Sequence, residues 1–410
     1  MKCMPITCSG RRVGGRIHTL DDKAFSRPVE AGAEFIHGDL PVTIHLLKEA
    51  GIPFSAITGD IWRSVAGRWT QEEGFIEQGD LVLSRLKDLK EDVSIAGFLS
   101  RYFQDQQYAR LREAVTGYIE GYDAGDIHKA SAFALLDDWI SNDSGDQYRP
   151  KGGYGQLVRY LVQDCEAAGC TIYRNAVVKT VEWQAENVRI VTESQQTYTA
   201  GKVVVTVPLG VLQAVPESRG AIAFSPKLPE QVQAIASLGF GMVIKLLLEF
   251  KEAFWKAADL HKKLQADLHH MGWLFSDLPV PTWWTQLPDD TALLTGWIAG
   301  PKAAQLMHMD EQDMLARALS TLAGLFGKSP AALEENLMAY RIVNWPADPF
   351  TRGAYSYATL HTPAAVKLLE KPVENTIFFA GEALQEGGTM GTVEGALASG
   401  RKVAASVLVL

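Results

Sequence analysis

The C-terminal stretch Thr376–Leu410 decides how the rest of the chain is interpreted, and it reads TIFFAGEALQEGGTMGTVEGALASGRKVAASVLVL. It begins with a short apolar run at Ile377–Ala380, which is typical of a buried strand. A glycine-rich segment follows at 387–392, and a helical pattern begins at Val393. Backbone N–H groups at a helix N-terminus can face an anion, and small residues let a flat molecule lie against the backbone, so the stretch indicates a site for a large anionic ligand. Taken alone, it also fits an ordinary strand-loop-helix edge of a sheet.

A second glycine motif lies near the N-terminus, where residues 11–19 read RRVGGRIHT. The paired glycines Gly14 and Gly15 allow a tight turn with arginines on both sides. Arginine pairs with phosphate through two hydrogen bonds, so this turn is a candidate phosphate site. A charged surface turn is the alternative, and it explains the glycine pair poorly.

Four separated stretches of this sequence resemble the FAD-dependent amine oxidase family, which includes monoamine and polyamine oxidases. Besides the two above, they are TVPLGVL at 206–212 and NWPADPFTRGAYSY at 344–357. The resemblance implies an α/β fold, with a Rossmann-like FAD-binding domain that is truncated at its N-terminus and an α+β substrate-binding domain with a mixed sheet. It assigns residues 1–50, 151–215 and 341–410 to the FAD-binding domain, and residues 51–150 and 216–340 to the substrate-binding domain.

The predicted truncation rests on a missing dinucleotide fingerprint. Members of the family begin with a buried strand, the sequence Gly-x-Gly-x-x-Gly and a helix. No such sequence follows a strand-like run in this chain. About thirty residues of a βαβ half-unit are therefore expected to be absent. Because that unit supplies a central strand and the helix dipole under the pyrophosphate, we expect its absence to weaken FAD binding.

The resemblance also implies which residues contact the cofactor. Arg16 is expected to bind the pyrophosphate, and the backbone of Val178 is expected to pair with the adenine ring. Ala354 stands where monoamine oxidases carry the cysteine that bonds the flavin, so the FAD should be non-covalent. The cofactor-binding candidates are Arg12, Gly14, Gly15, Arg16, Gly32, Ala33, Val178, Trp345, Gly381, Glu382, Thr392 and Val393.

Three residues are candidate catalytic groups. Lys245 lies among aliphatic residues in a predicted strand over Met242–Phe250, and a buried lysine needs a partner. The alternative is a lysine on the solvent face of that strand. By the resemblance, Lys245 would assist the reaction with oxygen, and Tyr355 would polarise the amine. His37 would lie beside the substrate, or else be a strand-end histidine held by a backbone carbonyl.

The implied reaction is hydride transfer from an amine to FAD. Reoxidation by O2 would then give an imine or aldehyde and H2O2, so the expected partners are a small-molecule amine and O2. Two other functions stay open: a non-enzymatic remnant of the fold that cannot hold FAD, and a flavin desaturase of the same superfamily acting on a carbon substrate.

Charge and hydropathy exclude some classes of protein. The 410 residues carry a net charge of -9 and contain no basic block, which argues against a nucleic-acid partner. The longest apolar run, Val203–Val215, is too short to span a membrane and is interrupted by Pro208 and Gly210. We therefore predict a soluble protein without a membrane partner.

The cysteines predict neither a metal site nor a disulfide framework. The four, at positions 3, 8, 165 and 170, have no C-x-x-C spacing and no nearby histidines. We accordingly predict no metal and a reduced, cytoplasmic setting. The sequence does not predict the oligomeric state.

Local patterns give several element predictions. Alternation and a glycine turn predict a hairpin over residues 61–69. Helical spacing predicts helices over 95–111 and 314–326, and the second should end at Gly327. A short β-rich run predicts a strand over 171–173.

Overall fold

The computed structural model describes residues 12–74, 76, 78–141, 147–385 and 387–409. Strands and helices are numbered in chain order. The strands are β1 (Thr19–Leu20), β2 (Val29–Glu30), β3 (Ile36–His37), β4 (Phe54–Ala56), β5 (Asp60–Val65), β6 (Arg68–Glu72), β7 (Gln147–Pro150), β8 (Val178–Gln184), β9 (Asn187–Thr192), β10 (Thr197–Ala200), β11 (Val203–Val205), β12 (Ala223–Ser225), β13 (Gly239–Phe240), β14 (Val243–Phe250), β15 (Met271–Ser276), β16 (Thr282–Trp284), β17 (Leu293–Ala299), β18 (Leu337–Asn344), β19 (Ser356–Tyr357) and β20 (Ile377–Phe379). The helices are α1 (Pro41–Glu49), α2 (Gly79–Lys87), α3 (Ile95–Tyr102), α4 (Ala109–Gly121), α5 (Ala132–Ser141), α6 (Gly155–Ala167), α7 (Leu209–Leu212), α8 (Pro229–Ser237), α9 (Ala258–Leu264), α10 (Gly300–Leu306), α11 (Glu311–Phe326), α12 (Pro330–Asn336), α13 (Thr362–Leu369) and α14 (Val393–Val409).

A seven-stranded sheet forms one half of the fold. Its strand order is β18-β14-β17-β16-β15-β5-β6, and it is mixed because β15 runs parallel to β5 while the other neighbours are antiparallel. All eight residues of β14 are buried, because neighbouring strands flank it on both edges and a large apolar cluster that includes residues of α11 packs against the sheet. The predicted mixed sheet is confirmed.

The C-terminal stretch folds as predicted. Strand β20 pairs in parallel with β11, so residues 203–205 and 377–379 lie side by side, and Val205, Ile377 and Phe379 are buried in a second apolar cluster. The chain then passes through the glycine-rich loop and enters α14 at Val393. This parallel pairing between distant segments is typical of an α/β domain.

Glu394, in the first turn of α14, joins that helix to α1. The residue before α1 makes no side-chain cap, so the first N–H groups of α1 need another acceptor. The buried carboxylate of Glu394 accepts hydrogen bonds from the backbone N–H groups of Val42 (3.0 Å) and Thr43 (2.7 Å), and from the Thr43 hydroxyl (2.7 Å). A carboxylate at a helix N-terminus is also favoured by the helix dipole.

Some local predictions are confirmed, one is wrong and one holds for a single residue. The hairpin is β5 and β6, and α11 ends at Gly327 in the left-handed conformation. The predicted helix over 95–111 is interrupted between Tyr102 and Ala109, because Arg112 folds back and donates to the carbonyls of residues 103, 104 and 105. Of the predicted strand over 171–173, only Tyr173 takes part in a β-bridge, and its ring packs against Tyr198 with centroids 4.6 Å apart.

The division into two domains stays a prediction. Strands from residues 60–72 and 243–344 share the seven-stranded sheet, which supports combining 51–150 with 216–340. Strand β18 crosses the predicted boundary between residues 340 and 341.

Candidate active site

One cavity of about 730 Å³ brings most of the predicted site residues together. Its walls come from the N-terminal glycine turn, the segment before β3, strand β14, the loop before β19 and the C-terminal glycine-rich loop. The predicted residues that line it are Gly14, Gly15, Arg16, Gly32, Ala33, His37, Lys245, Trp345, Tyr355, Gly381, Glu382, Thr392 and Val393. Arg12 and Val178 do not line the cavity. Arg12 donates to the carbonyls of Gly15 and Ile17, and Val178 packs within a valine-rich cluster around β8.

The two glycine motifs are joined directly by an ion pair. Arg16 Nη1 lies 2.5 Å from Glu382 Oε1 and donates to the Ala354 carbonyl at 2.6 Å. The backbone N–H and hydroxyl of Ser356 donate to the same carboxylate, each at 3.2 Å. Residues 366 positions apart are thus held at one point of the cavity wall.

Gly32 lies where two backbone segments cross closely. A Cβ atom at this position would stand 1.8 Å from the Arg16 carbonyl oxygen, far inside any allowed contact. The crossing is held by hydrogen bonds from Ala33 N–H to the Arg16 carbonyl (3.1 Å) and from Ala31 N–H to the His18 carbonyl (2.9 Å). Glycine is therefore required here by the backbone approach that positions Arg16.

The cavity fits a flat dinucleotide along these walls. At Gly15, Gly381 and Gly387, an added Cβ would meet no described atom within 4 Å, so there is open space beside these residues. The indole N–H of Trp345 donates to the Ala31 carbonyl at 3.1 Å and holds that ring against the wall. The residues present therefore suit the flavin and pyrophosphate portions of the predicted cofactor.

Lys245 is buried, and its partner is Glu34. Its side chain is 1% exposed, which excludes the solvent-facing alternative. Nζ donates to Glu34 Oε2 at 2.6 Å and to the Gly32 carbonyl at 3.2 Å, and it lies 5.6 Å from the centre of the Trp284 ring. A buried lysine held this way carries its charge into the cavity wall.

Glu34 is a site residue that the sequence analysis missed. Its carboxylate also faces Arg149 Nη2 at 2.9 Å and accepts from the Trp284 indole at 3.1 Å. Burial alone would raise the pKa of Glu34, but the charges of Lys245 and Arg149 hold it below its usual value. Two features of the sequence could have indicated this pair. Glu34 is an acidic residue in the glycine-containing segment 30–38, and Lys245, 211 positions later, is a lysine in an apolar strand that needs a partner.

Aromatic rings form a second wall of the cavity. Trp284 and Trp297 have centroids 5.6 Å apart, and Trp297 stacks on Tyr355 at 6.5 Å with an interplanar angle of 19°. The Tyr355 hydroxyl donates to the Tyr122 carbonyl, and the Trp297 indole donates to the Gly121 carbonyl at 2.8 Å. The rings are thus fixed by hydrogen bonds, and their faces make the channel apolar and flat.

His37 lies in the cavity wall, and its partner is a side chain rather than a backbone carbonyl. Its Nδ1 atom is 2.9 Å from the Tyr122 hydroxyl. Burial lowers the pKa of His37 to about 4, because the imidazolium would be poorly solvated. The ring is therefore neutral at neutral pH.

Four carboxylates line one part of the cavity, and sequence analysis named none of them. They are Glu113, Glu120, Asp123 and Asp138, carried by α4, the segment after it and α5. Burial raises the pKa of Asp123 well above its usual value, and the neighbouring charge of Asp138 raises it further. A cationic ligand would relieve this repulsion, so this part of the cavity favours positive charge.

Glu30, beneath the cavity wall, gives a pH-dependent prediction. Its Oε1 atom accepts from the Thr19 hydroxyl (2.8 Å) and from Tyr154 N–H (2.6 Å), while Oε2 is buried with no hydrogen-bond partner among the described residues. Burial outweighs these bonds and raises the pKa of Glu30 to about 7. The folded state therefore binds this proton more tightly than the unfolded state, and the resulting stability is lost as the pH rises through 7.

We expect Glu30→Gln to remove this loss. As the pH rises from 4.5 to 8, the free energy of unfolding of the variant should increase relative to that of wild type by up to roughly 3 kcal/mol. Urea unfolding of both proteins across that range measures the difference. A difference that is independent of pH would show that Glu30 has an ordinary pKa.

The comparison with protein families decides the family. The model of flavin-containing amine oxidoreductases matches residues 9–65 and 61–408. The chain belongs to this family. Membership confirms the predicted resemblance and implies that the cofactor is FAD.

The chain has curated relatives among demethylases and oxidases. It is 25% identical to lysine-specific histone demethylase 2 of Homo sapiens over 97% of this chain, and 28% identical to polyamine oxidase 2 of Arabidopsis thaliana over 95%. The chain spans about half the length of that demethylase (49%) and 80% of the polyamine oxidase.

Solved structures confirm the predicted fold of the chain. Wild-type putrescine oxidase bound to putrescine aligns with a TM-score of 0.77 and 22% identity, covering 99% of this chain and 93% of that one. Cyclohexylamine oxidase from Brevibacterium oxydans also aligns with a TM-score of 0.77, at 17% identity, covering 99% of this chain and 98% of that one. Among the helices in the described ranges, none is both long and apolar enough to cross a membrane.

Proposed function

We propose that this chain is an amine oxidase that converts an amine to an imine or aldehyde and reduces O2 to H2O2. One observation carries the proposal: a single cavity holds the predicted cofactor residues, a buried lysine, an aromatic channel and a group of carboxylates. The predicted cofactor residues suit the flavin, and the carboxylates suit a positively charged substrate. A desaturase acting on a neutral carbon chain would gain nothing from the carboxylates.

The residues that would hold FAD lie on both sides of the Arg16–Glu382 pair. Arg16 would hold the pyrophosphate in the open space beside Gly15 and Gly381, while Thr392 and Trp345 would lie near the flavin ring. When bound, FAD supplies the chemistry that accepts a hydride from the carbon next to the amine nitrogen and passes electrons to O2. Ala354 offers no nucleophile, so the cofactor would be held without a covalent bond.

The protein would contribute orientation, exclusion of water and fixed charge. The stacked rings of Trp297 and Tyr355 would confine the amine to one plane and keep water from the reacting carbon. The Lys245 ammonium, held by Glu34, would place a positive charge where negative charge develops on oxygen. Because His37 is neutral, it would place no positive charge beside the amine, and the amine could lose its proton there.

The carboxylates of Asp123 and Asp138 would attract the charged substrate. Each lines the cavity, and the two are close enough that Asp138 raises the pKa of Asp123. An ammonium group between them would restore both negative charges, because opposite charge favours the ionised form. The residues thereby favour a diamine or a longer polyamine over an uncharged substrate.

We expect Asp138→Asn to raise the KM for a diamine about 10- to 100-fold, because a hydrogen bond to a charged group contributes about 1.5–3 kcal/mol. The kcat should change much less, since the carboxylate contacts the substrate and not the reacting atoms. H2O2 release from mono-, di- and polyamines and from a methylated lysine side chain measures both constants.

The adjacent Asp137 provides the matched control. It lies on the same helix but is exposed and does not line the cavity, so Asp137→Asn should leave both constants unchanged. Equal effects of the two substitutions would contradict a specific role for Asp138. An absence of amine-dependent H2O2 from FAD-loaded protein would sink the proposed function itself.

A further inference from the structure

A cluster of two histidines and one aspartate lies at the end of α9, away from the cavity. The helix ends at Gln265, which takes the left-handed conformation and turns the chain back on itself. The N–H of Ala266 then donates to the carbonyl of His261 at 3.2 Å. This return brings Asp267 and His269 beside the His261 ring, and none of the three residues lines the cavity.

The hydrogen bonding of His261 fixes which ring nitrogen is available. Nε2 lies 2.9 Å from the backbone carbonyl of Trp255, which can only accept, so Nε2 carries a proton. In the neutral ring, Nδ1 is therefore a bare acceptor. A metal-bound histidine commonly has this arrangement, because the outer N–H bonded to a carbonyl orients the ring.

The available Nδ1 atom faces a second acceptor. It lies 3.4 Å from Asp267 Oδ1, and that carboxylate is itself oriented by a hydrogen bond from His269 N–H at 3.1 Å. Two lone pairs aimed at each other are unfavourable unless a proton or a cation lies between them. Either an imidazolium–carboxylate pair or a bound metal ion satisfies this geometry.

The spacing matches the ligand shell of a tetrahedral metal. Ligands bound at about 2.0–2.1 Å in a tetrahedron stand about 3.4 Å apart, which is the separation between His261 and Asp267. The donor atoms of all three residues lie within 4.8 Å of one another, and exposed His269 can approach by rotating its side chain. Three protein ligands leave the fourth position to water.

We propose that His261, Asp267 and His269 form a binding site for a divalent transition ion, with Zn2+ as the expected occupant. Two imidazole nitrogens and one carboxylate oxygen suit Zn2+, whereas Mg2+ and Ca2+ prefer oxygen ligands alone. The ion fastens the loop between α9 and β15, the strand that carries Trp273 to the cavity wall. This proposal differs from the sequence prediction of no metal, which considered only the cysteines.

Calorimetric titration of the EDTA-treated full chain with ZnCl2 tests the proposal. We expect one Zn2+ per chain at pH 7.5, and no heat of binding with MgCl2. Asp267→Asn and His261→Ala should each weaken Zn2+ binding by at least about tenfold. Even the loss of a residue that only hydrogen-bonds a metal ligand lowers metal affinity by about this factor, so the loss of a ligand should cost at least as much. Co2+ should give the visible absorption of a tetrahedral site in wild type and lose it in both variants.

Two histidine substitutions serve as matched controls. His270 is the exposed neighbour outside the cluster, and His45 forms an exposed pair with Glu49 at 3.7 Å. His270→Ala and His45→Ala should leave the affinity for Zn2+ unchanged. Circular dichroism establishes that each variant is folded, and exposed Asp267 is not required for the core.

The thermal response supplies a second readout that is independent of enzymatic activity. Added Zn2+ should raise the Tm of wild type and not that of Asp267→Asn, because an ion that binds only the folded state stabilises it by mass action. Absence of stoichiometric Zn2+ binding by wild type would overturn the proposal and leave an imidazolium–carboxylate pair. Equal losses in His270→Ala and Asp267→Asn would overturn it as well.

Discussion

Replacing Lys245 by methionine is expected to lower the free energy of unfolding by about 3 kcal/mol, towards the lower end of the range for breaking a buried ion pair. Methionine keeps much of the side-chain volume but leaves the Glu34 carboxylate without its 2.6 Å partner. Arg149 still faces Glu34 at 2.9 Å, which limits the loss. With one positive neighbour removed, the pKa of Glu34 rises, so part of the loss should disappear at low pH.

The double variant Lys245→Met/Glu34→Gln separates the ion pair from packing. Because the unpaired charge is removed, it should recover most of the stability lost in Lys245→Met. Lys179→Met is the matched control, since Lys179 is an exposed strand lysine and should change stability by less than about 0.5 kcal/mol. Urea unfolding at pH 7 measures five proteins: wild type, the single variants Lys245→Met and Glu34→Gln, their double variant, and Lys179→Met. A double variant as unstable as the sum of the two single variants would contradict the pairing.

The second large effect is expected for Gly32→Ala. The added methyl group would lie 1.8 Å from the Arg16 carbonyl oxygen and 3.2 Å from the His18 nitrogen, and both are backbone atoms that cannot turn aside. The crossing must open, which breaks the hydrogen bonds at Ala31 and Ala33 and moves Arg16 away from Glu382. We expect a stability loss of about 3 kcal/mol or more, at or beyond the upper end of overpacking effects, and much weaker FAD binding.

Gly117→Ala distinguishes this crowding from a general intolerance of glycine substitution. Gly117 lies within α4, and a Cβ atom there meets nothing described within 4 Å. Alanine should leave stability unchanged or raise it by up to about 1 kcal/mol, because it is the better helix former. Unfolding curves and FAD titrations of both variants measure the effects. Normal stability and normal FAD affinity in Gly32→Ala would show that the two segments do not cross so closely.

Patterns contained within one stretch of sequence predicted much of the fold. The apolar run, glycine-rich loop and helical pattern after Thr376 are β20, its loop and α14, and the turn at residues 66–67 joins β5 to β6. The failures came from contacts that override a local pattern. Helical spacing continues through 95–111, yet α3 ends at Tyr102, and the Arg112 side chain donates to the carbonyls of the three residues that follow it.

The candidate site was predictable only as separate parts. An unexplained lysine in an apolar strand indicated that Lys245 needs a partner, but the choice of Glu34 depends on a tertiary crossing 211 positions away. The carboxylates at Asp123 and Asp138 have no sequence pattern that separates them from surface acids. His261, Asp267 and His269 lie within nine residues, so the sequence alone shows that these three side chains are close along the chain.

Equilibrium titration of the purified, cofactor-free chain with FAD tests the central claim most directly, namely that the distant motifs around Arg16 and Glu382 form one cofactor site. We predict that the protein binds one FAD per chain, turns yellow and keeps the cofactor without a covalent bond. A folded protein that stays colourless and leaves FAD fluorescence unchanged at saturating concentrations would contradict the account, and would favour a non-enzymatic remnant of the fold.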